Sequence, residues 1–205
     1  MHMAELLYQG HGSYRLVSDN GTVVYVDPFV GEGYGLEADL VLITHEHSDH
    51  NRTGLISLKQ DGRILRAADM LADGRYKSCV INGNPESGTA IHILAVPAYN
   101  RNHNQKECVG YLIDMDGKRI YAAGDTSYTD YMERMGQMQI DYALLPVDGI
   151  YNMDAGEASE CARIIGAAHS IPIHTSPGHL FERAVAERFH AQGRIILEPG
   201  DTLSL

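Results

Sequence analysis

Ala38-Asp39-Leu40-Val41-Leu42-Ile43-Thr44-His45-Glu46-His47-Ser48-Asp49-His50 is the stretch on which the reading of the fold turns. Its first six residues are short, mostly apolar and β-rich, which reads as a buried strand. Three imidazoles and two carboxylates then fall within six residues, just past the strand's C-terminal end. Open α/β sheets place their chemistry at that end. Alternate residues of an extended segment point the same way, so His45 and His47 can grip one ion together. Asp49 and His50 follow on a turning backbone and can face a second ion beside the first. Neutral imidazole and carboxylate are ligands that divalent zinc, iron and manganese accept. Read as solvated loop residues, so dense a group would repel or stay protonated unless a cation compensated it.

The chain has 205 residues, enough for a sizeable core, and nothing marks a second domain, so one domain over residues 1–205 is expected. A formal net charge of −11 disfavours a role built on phosphate-backbone contacts, because nucleic-acid binders carry a basic footprint. No apolar run approaches membrane-spanning length, and no basic region followed by an apolar one opens the chain. A cytoplasmic location is the default expectation. Cys79, Cys108 and Cys161 show neither zinc spacing nor a disulfide framework and read as buried thiols.

Residues 4–9, 14–18 and 22–26 read as strands of an antiparallel run, joined by Gly10-His11-Gly12-Ser13 and by an Asn20-Gly21 hairpin signal. His11 is either a plain turn residue or a group reaching toward the metal site. Asp27 ends the third strand, where it either caps a turn or holds a metal-ligating His from behind. Asn51 to Gln60 is compatible with a helix, Leu55, Ile56 and Leu58 forming its apolar side. Asn82-Gly83-Asn84-Pro85 reads as a turn. His92 alternates with apolar neighbours and is expected to face outward.

In the second half, the strand Ala95-Val96-Pro97 runs into a polar loop holding Tyr99, Asn100 and His103. Val109 to Asp114 and Lys118 to Ala123 form a hairpin that ends at Gly124-Asp125-Thr126. Asp125 either caps the following segment or places a carboxylate between two metals. Ile140 to Val147 is another buried strand, followed by a loop from Asp148 to Met153 that contains Tyr151. Asp154-Ala155-Gly156-Glu157 is a capping box opening a helix with Ala158, Cys161, Ala162, Ile165 and Ala168 on its apolar face. Ser170 to His174 is a strand with a His at its end, and His179 is a rival ligand nearby. A helix over Leu180 to Ala191 and closing strands at Arg194–Leu197 and Asp201–Leu205 complete the expectation.

The pattern H-x-H-x-D-H after a strand resembles the metallo-β-lactamase superfamily of metal-dependent hydrolases. Pro-Ala-Tyr-Asn, His103, Val-Gly-Tyr and Tyr-x-x-Gly-Asp-Thr resemble the branch that holds the ascorbate-6-phosphate lactonases and related hydrolases. Asp148 departs from that branch, where Gly is usual. The resemblance runs from His11 to the terminal strands. It implies an α/β fold, a four-layer αββα sandwich of two mixed β-sheets flanked by helices. It also implies two divalent metal ions, zinc first, with manganese or iron as alternatives. His45, His47 and His103 would hold one and Asp49, His50 and His174 the other, with Asp125 bridging them. The implied reaction is attack of a metal-bound hydroxide on a small ester, lactone or phosphorylated metabolite, with Asp49 moving the proton. His11, Asp27, Tyr99, Asn100 and Tyr151 would support the ligands or touch a small-molecule substrate. A phosphodiesterase or nuclease of the same fold, and a mononuclear-iron redox protein, are the alternatives. Relatives of this size associate, so a homo-oligomer is a further expectation.

Overall fold

The structure is a computed structural model and describes residues 4–81 and 90–205, so the turn expected at Asn82 to Pro85 lies outside the described residues. The first half contributes β1 (Glu5–Gly10), β2 (Ser13–Val17), β3 (Val23–Val26), β4 (Ala38–Leu42) and β5 (Leu58–Leu65). A short helix α1 (Ala67–Met70) and the strands β6 (Leu71–Ala72), β7 (Arg75–Tyr76) and β8 (Ser78–Ile81) follow. Then come β9 (Ile91–Pro97), β10 (Val109–Met115), β11 (Lys118–Ala122), α2 (Tyr131–Met135) and β12 (Tyr142–Pro146). The chain closes with α3 (Ala155–Ile165), β13 (His169–Ile173), α4 (Arg183–Ala186) and β14 (Thr202–Ser204).

Two six-stranded sheets form, in the orders β14-β1-β2-β3-β4-β5 and β8-β9-β10-β11-β12-β13. Each is antiparallel over its first four strands and parallel over the rest. The two sheets face one another because alternate residues bury inward from both. Leu6, Tyr8, Val24, Val26, Leu40 and Leu42 of the first share one core with Ile93, Tyr111, Ile113, Leu144 and Ile171 of the second. Each fully buried side chain of this size adds roughly 1.5–3 kcal/mol. The second sheet is apolar on its other face too, where Leu112, Tyr121, Ala143 and Leu145 pack against Met132, Met135, Ala158, Cys161 and Ile165 of α2 and α3. The Asp154 carboxylate caps α3 by accepting the Glu157 N–H at 2.8 Å, as the capping box requires. The return bond of that box is replaced, because Glu157 Oε1 accepts the Tyr128 N–H.

The sandwich of two mixed sheets is therefore present, its outer layer helical over the second sheet and built of loops and one 3-10 turn over the first. Over the first sheet, Val23, Tyr25, Val41 and Ile43 are covered by Tyr34 and Ile56 from loops. The helix expected over Asn51 to Gln60 is a single 3-10 turn, Thr53–Leu55, after which the chain enters β5. Parallel pairing of β5 with β4, Val41 against Ile64 and Leu42 against Leu65, overrides the helical spacing of Leu55, Ile56 and Leu58. The helix expected over Leu180 to Ala191 contracts to α4, although Phe189 still buries against the second sheet's outer core. Arg194–Leu197 forms one bridge, Ser170 with Arg194, and no strand. Cys108 and Cys161 are buried, whereas Cys79 is only half-buried on the edge strand β8. His92 faces outward. No helix is long and apolar enough to cross a membrane among the described residues.

Candidate metal centre

The sheets place their parallel strand ends together, and the chemistry-bearing side chains gather there. Asp27 follows β3, the Thr44 to His50 loop follows β4, Asp125 follows β11, Asp148 follows β12 and His174 follows β13. His103 arrives from the loop between β9 and β10. The ligand loop is pinned across the sandwich. Val109 N–H donates to Thr44 O at 2.9 Å and Tyr111 O–H donates to Ile43 O at 2.9 Å. Two glycines permit the close approach. A Cβ on Gly124, whose φ is +63°, would lie 2.8 Å from Thr44 Cβ, and one on Gly12 would lie 2.9 Å from His50 Cε1.

Three sets of donors lie within 4.8 Å of one another: His45, His47 and His103; His11, Asp49, His50 and His174; and His45, His50 and Asp125. The Asp125 carboxylate lies between the first two sets. Its Oδ1 is 3.3 Å from His50 Nε2, and its Oδ2 is 3.3 Å from His103 Nε2 and 3.4 Å from His174 Nε2. All seven residues singled out as ligands thus meet at one place. His11 joins them with its Nε2 3.3 Å from Asp49 Oδ2, and its ring centroid is 3.7 Å from that of His174. His179 is exposed and belongs to none of these sets.

Four of the buried imidazoles, those of His45, His50, His103 and His174, turn Nδ1 toward an oxygen. His50 Nδ1 is 2.9 Å from Asp27 Oδ2, and His45 Nδ1 is 3.0 Å from Thr44 Oγ1. Thr44 itself donates its hydroxyl to Asp27 Oδ2 at 2.6 Å and its N–H to Asp27 Oδ1 at 2.8 Å. His103 Nδ1 is 2.9 Å from Asn100 Oδ1, and His174 Nδ1 is 3.0 Å from Asp148 Oδ2. With Nδ1 turned away, Nε2 is the end that these four rings point at the centre. His45 Nε2 is buried without a partner, and both ring nitrogens of His174 and Nε2 of His50 meet carboxylates only at ion-pair distance, without an aligned hydrogen bond, a costly state that a cation would relieve. The donor chemistry and these orphaned atoms fit a divalent metal.

Electrostatics agrees. Burial, reinforced by the neighbouring His50 charge, holds the His45 imidazole neutral with its pKa lowered to about 2. Burial opposes charge on His50 and His174 too, yet Asp125 with Asp27 or Asp148 outweighs it and raises both. Burial likewise disfavours the Asp125 anion, but the His174 and His50 charges hold it well below the ordinary carboxylate range. Asp49 is lowered despite its own desolvation, chiefly by the His11 hydrogen bond. Strain marks the same place. His11, Asp27 and His174 carry φ of 55°, 45° and 47°, in the left-handed region that non-glycine residues rarely adopt. Two of them are locked together, His174 N–H donating to His11 O at 2.8 Å.

The remaining expected residues divide. Asn100 and Asp27 sit behind the ligands. Tyr151 is 52 % exposed and lines a cleft of about 740 Å³ with Phe29, His47, Asp49, Asn102 and Asp125. Tyr99 lines a neighbouring hollow with Asn100 and Arg101 and is not among the residues lining the metal cleft. Thr44 and Asp148 gained no role from the sequence. The signal for Asp148 was its place after a buried strand, which it shares with Asp27 and Asp125.

A family model described as "Beta-lactamase superfamily domain" matches residues 5–174. A UPF0173 metal-dependent hydrolase of Thermoplasma acidophilum is 33 % identical over 208 residues, covering 93 % of this chain and 91 % of its own length. One from Thermococcus onnurineus is 29 % identical, covering 99 % of this chain and all of itself. Among solved structures, a metallo hydrolase from the archaeon Ignicoccus hospitalis superposes with a TM-score of 0.73 at 23 % identity, covering 98 % of this chain and 97 % of its own.

Proposed function

The chain belongs to the β-lactamase superfamily and, within it, to the UPF0173 metal-dependent hydrolases, and from that premise we propose that it hydrolyses a small ester, lactone or phosphorylated metabolite using two divalent cations held side by side. The observation that carries the dinuclear reading is the place of Asp125, whose carboxylate lies 3.3 Å from His103 of one donor set and 3.3 and 3.4 Å from His50 and His174 of the other. His45, His47 and His103 would hold one cation and Asp49, His50 and His174 the other, with His11 against the second group. Imidazole and carboxylate suit zinc first, and manganese or iron as well. Residues 1–205 act as one domain in this reading, because both sheets supply donors to the same site.

Bound there, two divalent cations would bring the pKa of a water close to neutrality and draw off negative charge from the scissile group. The protein's residues do the rest. Asp49 is half-exposed in the cleft and kept ionised by His11, so its free oxygen can take a proton from the attacking water and hand it to the leaving group. Asp27 and Thr44 fix the tautomers of His50 and His45. Tyr151 and Asn102 at the mouth are placed to contact the substrate.

Among the described residues no Lys or Arg lines the cleft, while Glu46, Asp49 and Asp125 do. Arg66, close by, is already paired with Glu46 at 2.8 Å. That lining favours a small substrate over a nucleic acid, whose phosphates need a basic track. The test is metal content of protein purified without chelator, beside His103→Ala, followed by a screen of lactones, esters and phosphomonoesters. About two metals per chain, falling by one in the variant, with hydrolysis abolished by chelator, is the expected result. One iron per chain, with His174 dispensable for binding it, would overturn the dinuclear reading.

A further inference from the structure

His103 and His174 come from different parts of the chain, yet both lead back to one carboxylate. His103 Nδ1 faces Asn100 Oδ1 at 2.9 Å. Asn100 Nδ2 donates to Asn152 Oδ1 at 3.2 Å, and Asn152 Nδ2 donates to Asp148 Oδ2 at 2.8 Å. His174 Nδ1 faces the same Asp148 Oδ2 at 3.0 Å. The other oxygen, Oδ1, accepts the backbone N–H groups of Ile150 and Tyr151 at 2.6 and 2.7 Å. From His103 every donor points the same way, through two amides to the anion, and hydrogen bonds so aligned polarise one another; His174 meets the same anion as a close ion-pair contact. Asp148 is buried completely at its side chain, and Asn152 is 9 % exposed.

We propose that Asp148, Asn152 and Asn100 form a single positioning relay that orients His103 and His174 together, so that one buried carboxylate tunes a ligand at each of the two cation positions. The inference rests on reading His103 and His174 as ligands. It goes beyond that reading because Asp148 and Asn152 touch neither cation position. The relay mirrors the one in the first sheet, where Asp27 holds His50 directly and His45 through Thr44. Each sheet thus supplies one carboxylate, and each carboxylate serves both positions. The second relay also carries the cleft mouth, since Tyr151 O accepts Asn100 Nδ2 at 3.0 Å and Asn102 Nδ2 at 2.8 Å. Metal loading and the placement of Tyr151 are therefore set by the same hydrogen bonds.

The experiment is Co²⁺ titration of chelator-treated wild type, Asp148→Asn and Asn152→Ala, read by the visible absorption bands and by metal bound per chain. Asp148→Asn keeps the acceptor for the backbone N–H groups but sets an NH₂ against His174 Nδ1–H. It is expected to weaken Co²⁺ binding about 10–100-fold and to move the bands. Asn152→Ala leaves every proposed ligand and its direct partner in place, so its effect comes through the relay alone. It is expected to weaken binding at both positions by less. A merely structural role would lower the melting temperature of the chelated variants and leave the Co²⁺ bands where they are. Two Co²⁺ in wild type with both variants matching it in affinity and spectrum would overturn the relay and leave the metal centre standing. A wild type that takes up no Co²⁺ would overturn both. Should Asp148→Asn not fold, Asn152→Ala decides.

Discussion

Replacing Asp125 with Asn tests the electrostatic core of the site without any knowledge of the substrate. In chelated protein the Asp125 carboxylate faces His50, His103 and His174 at 3.3–3.4 Å. At 3.3 Å and an effective dielectric near 20, each pair with a protonated imidazole is worth roughly 5 kcal/mol before desolvation. Burial of both partners cancels much of that, and removing one member of a buried pair costs about 3–5 kcal/mol net. The cost depends on pH with a definite sign. His50 and His174 are raised above 6.5 in the folded protein, so their contribution is full below about 6.5 and is lost as pH rises through their folded values. Asp125 is depressed below 3.8, so its contribution is present above about 4 and is lost only as pH falls through its folded value. Asp125→Asn should therefore be destabilised by about 3–5 kcal/mol between roughly pH 4 and 6.5, with the gap narrowing toward pH 9. Urea unfolding of the chelated proteins at pH 5.5 and 9 measures it. The chain has no Trp, so far-UV circular dichroism is the probe. A gap equal at both pH values, or wider at pH 9, would refute the reasoning.

Because His50 and His174 hold protons above their ordinary range, a divalent cation binding at Nε2 must displace them. Zn²⁺ titration of chelated protein near pH 7 should release at least about one proton per chain, seen as a dependence of binding heat on the buffer's ionisation enthalpy; buffer-independent heat would count against it. Gly12→Ala puts a Cβ 2.9 Å from His50 Cε1, so it should cost about 1–3 kcal/mol and weaken metal binding. Metal binding of wild-type strength in that variant would mean His50 is not held where Gly12 requires. Asp49→Asn, assayed with the metal supplied at saturation, should lose about 10²–10⁴-fold in turnover on whichever ester or lactone the screen finds. Unchanged turnover with metal bound would remove its proton-transfer role.

Much of the site was legible because its parts are local. His45, His47, Asp49 and His50 follow one strand, and their spacing alone places them as neighbours. Asp125 and His174 were recognisable as polar residues at the ends of apolar runs. The fold class followed from strand patterning and from the resemblance carried by the motifs. What failed was decided by partners far away in the chain. Residues 55–58 fit a helix, and pairing with β4 made the segment that follows a strand. Asp148 looked like a departure from a pattern until His174, Asn152 and Asn100 closed around it. Nothing in the spacing of those residues predicts that contact.

The sequence by itself determined which groups could bind a cation and which strands would carry them, because ligand type and strand period are properties of a few adjacent residues. Only the tertiary structure decided which oxygen stands behind each imidazole. It also decided that Asp125 lies between the two groups and that His11 is drawn to Asp49. Those are through-space relations between strand ends of two sheets, and they exist only once both sheets have buried their shared core.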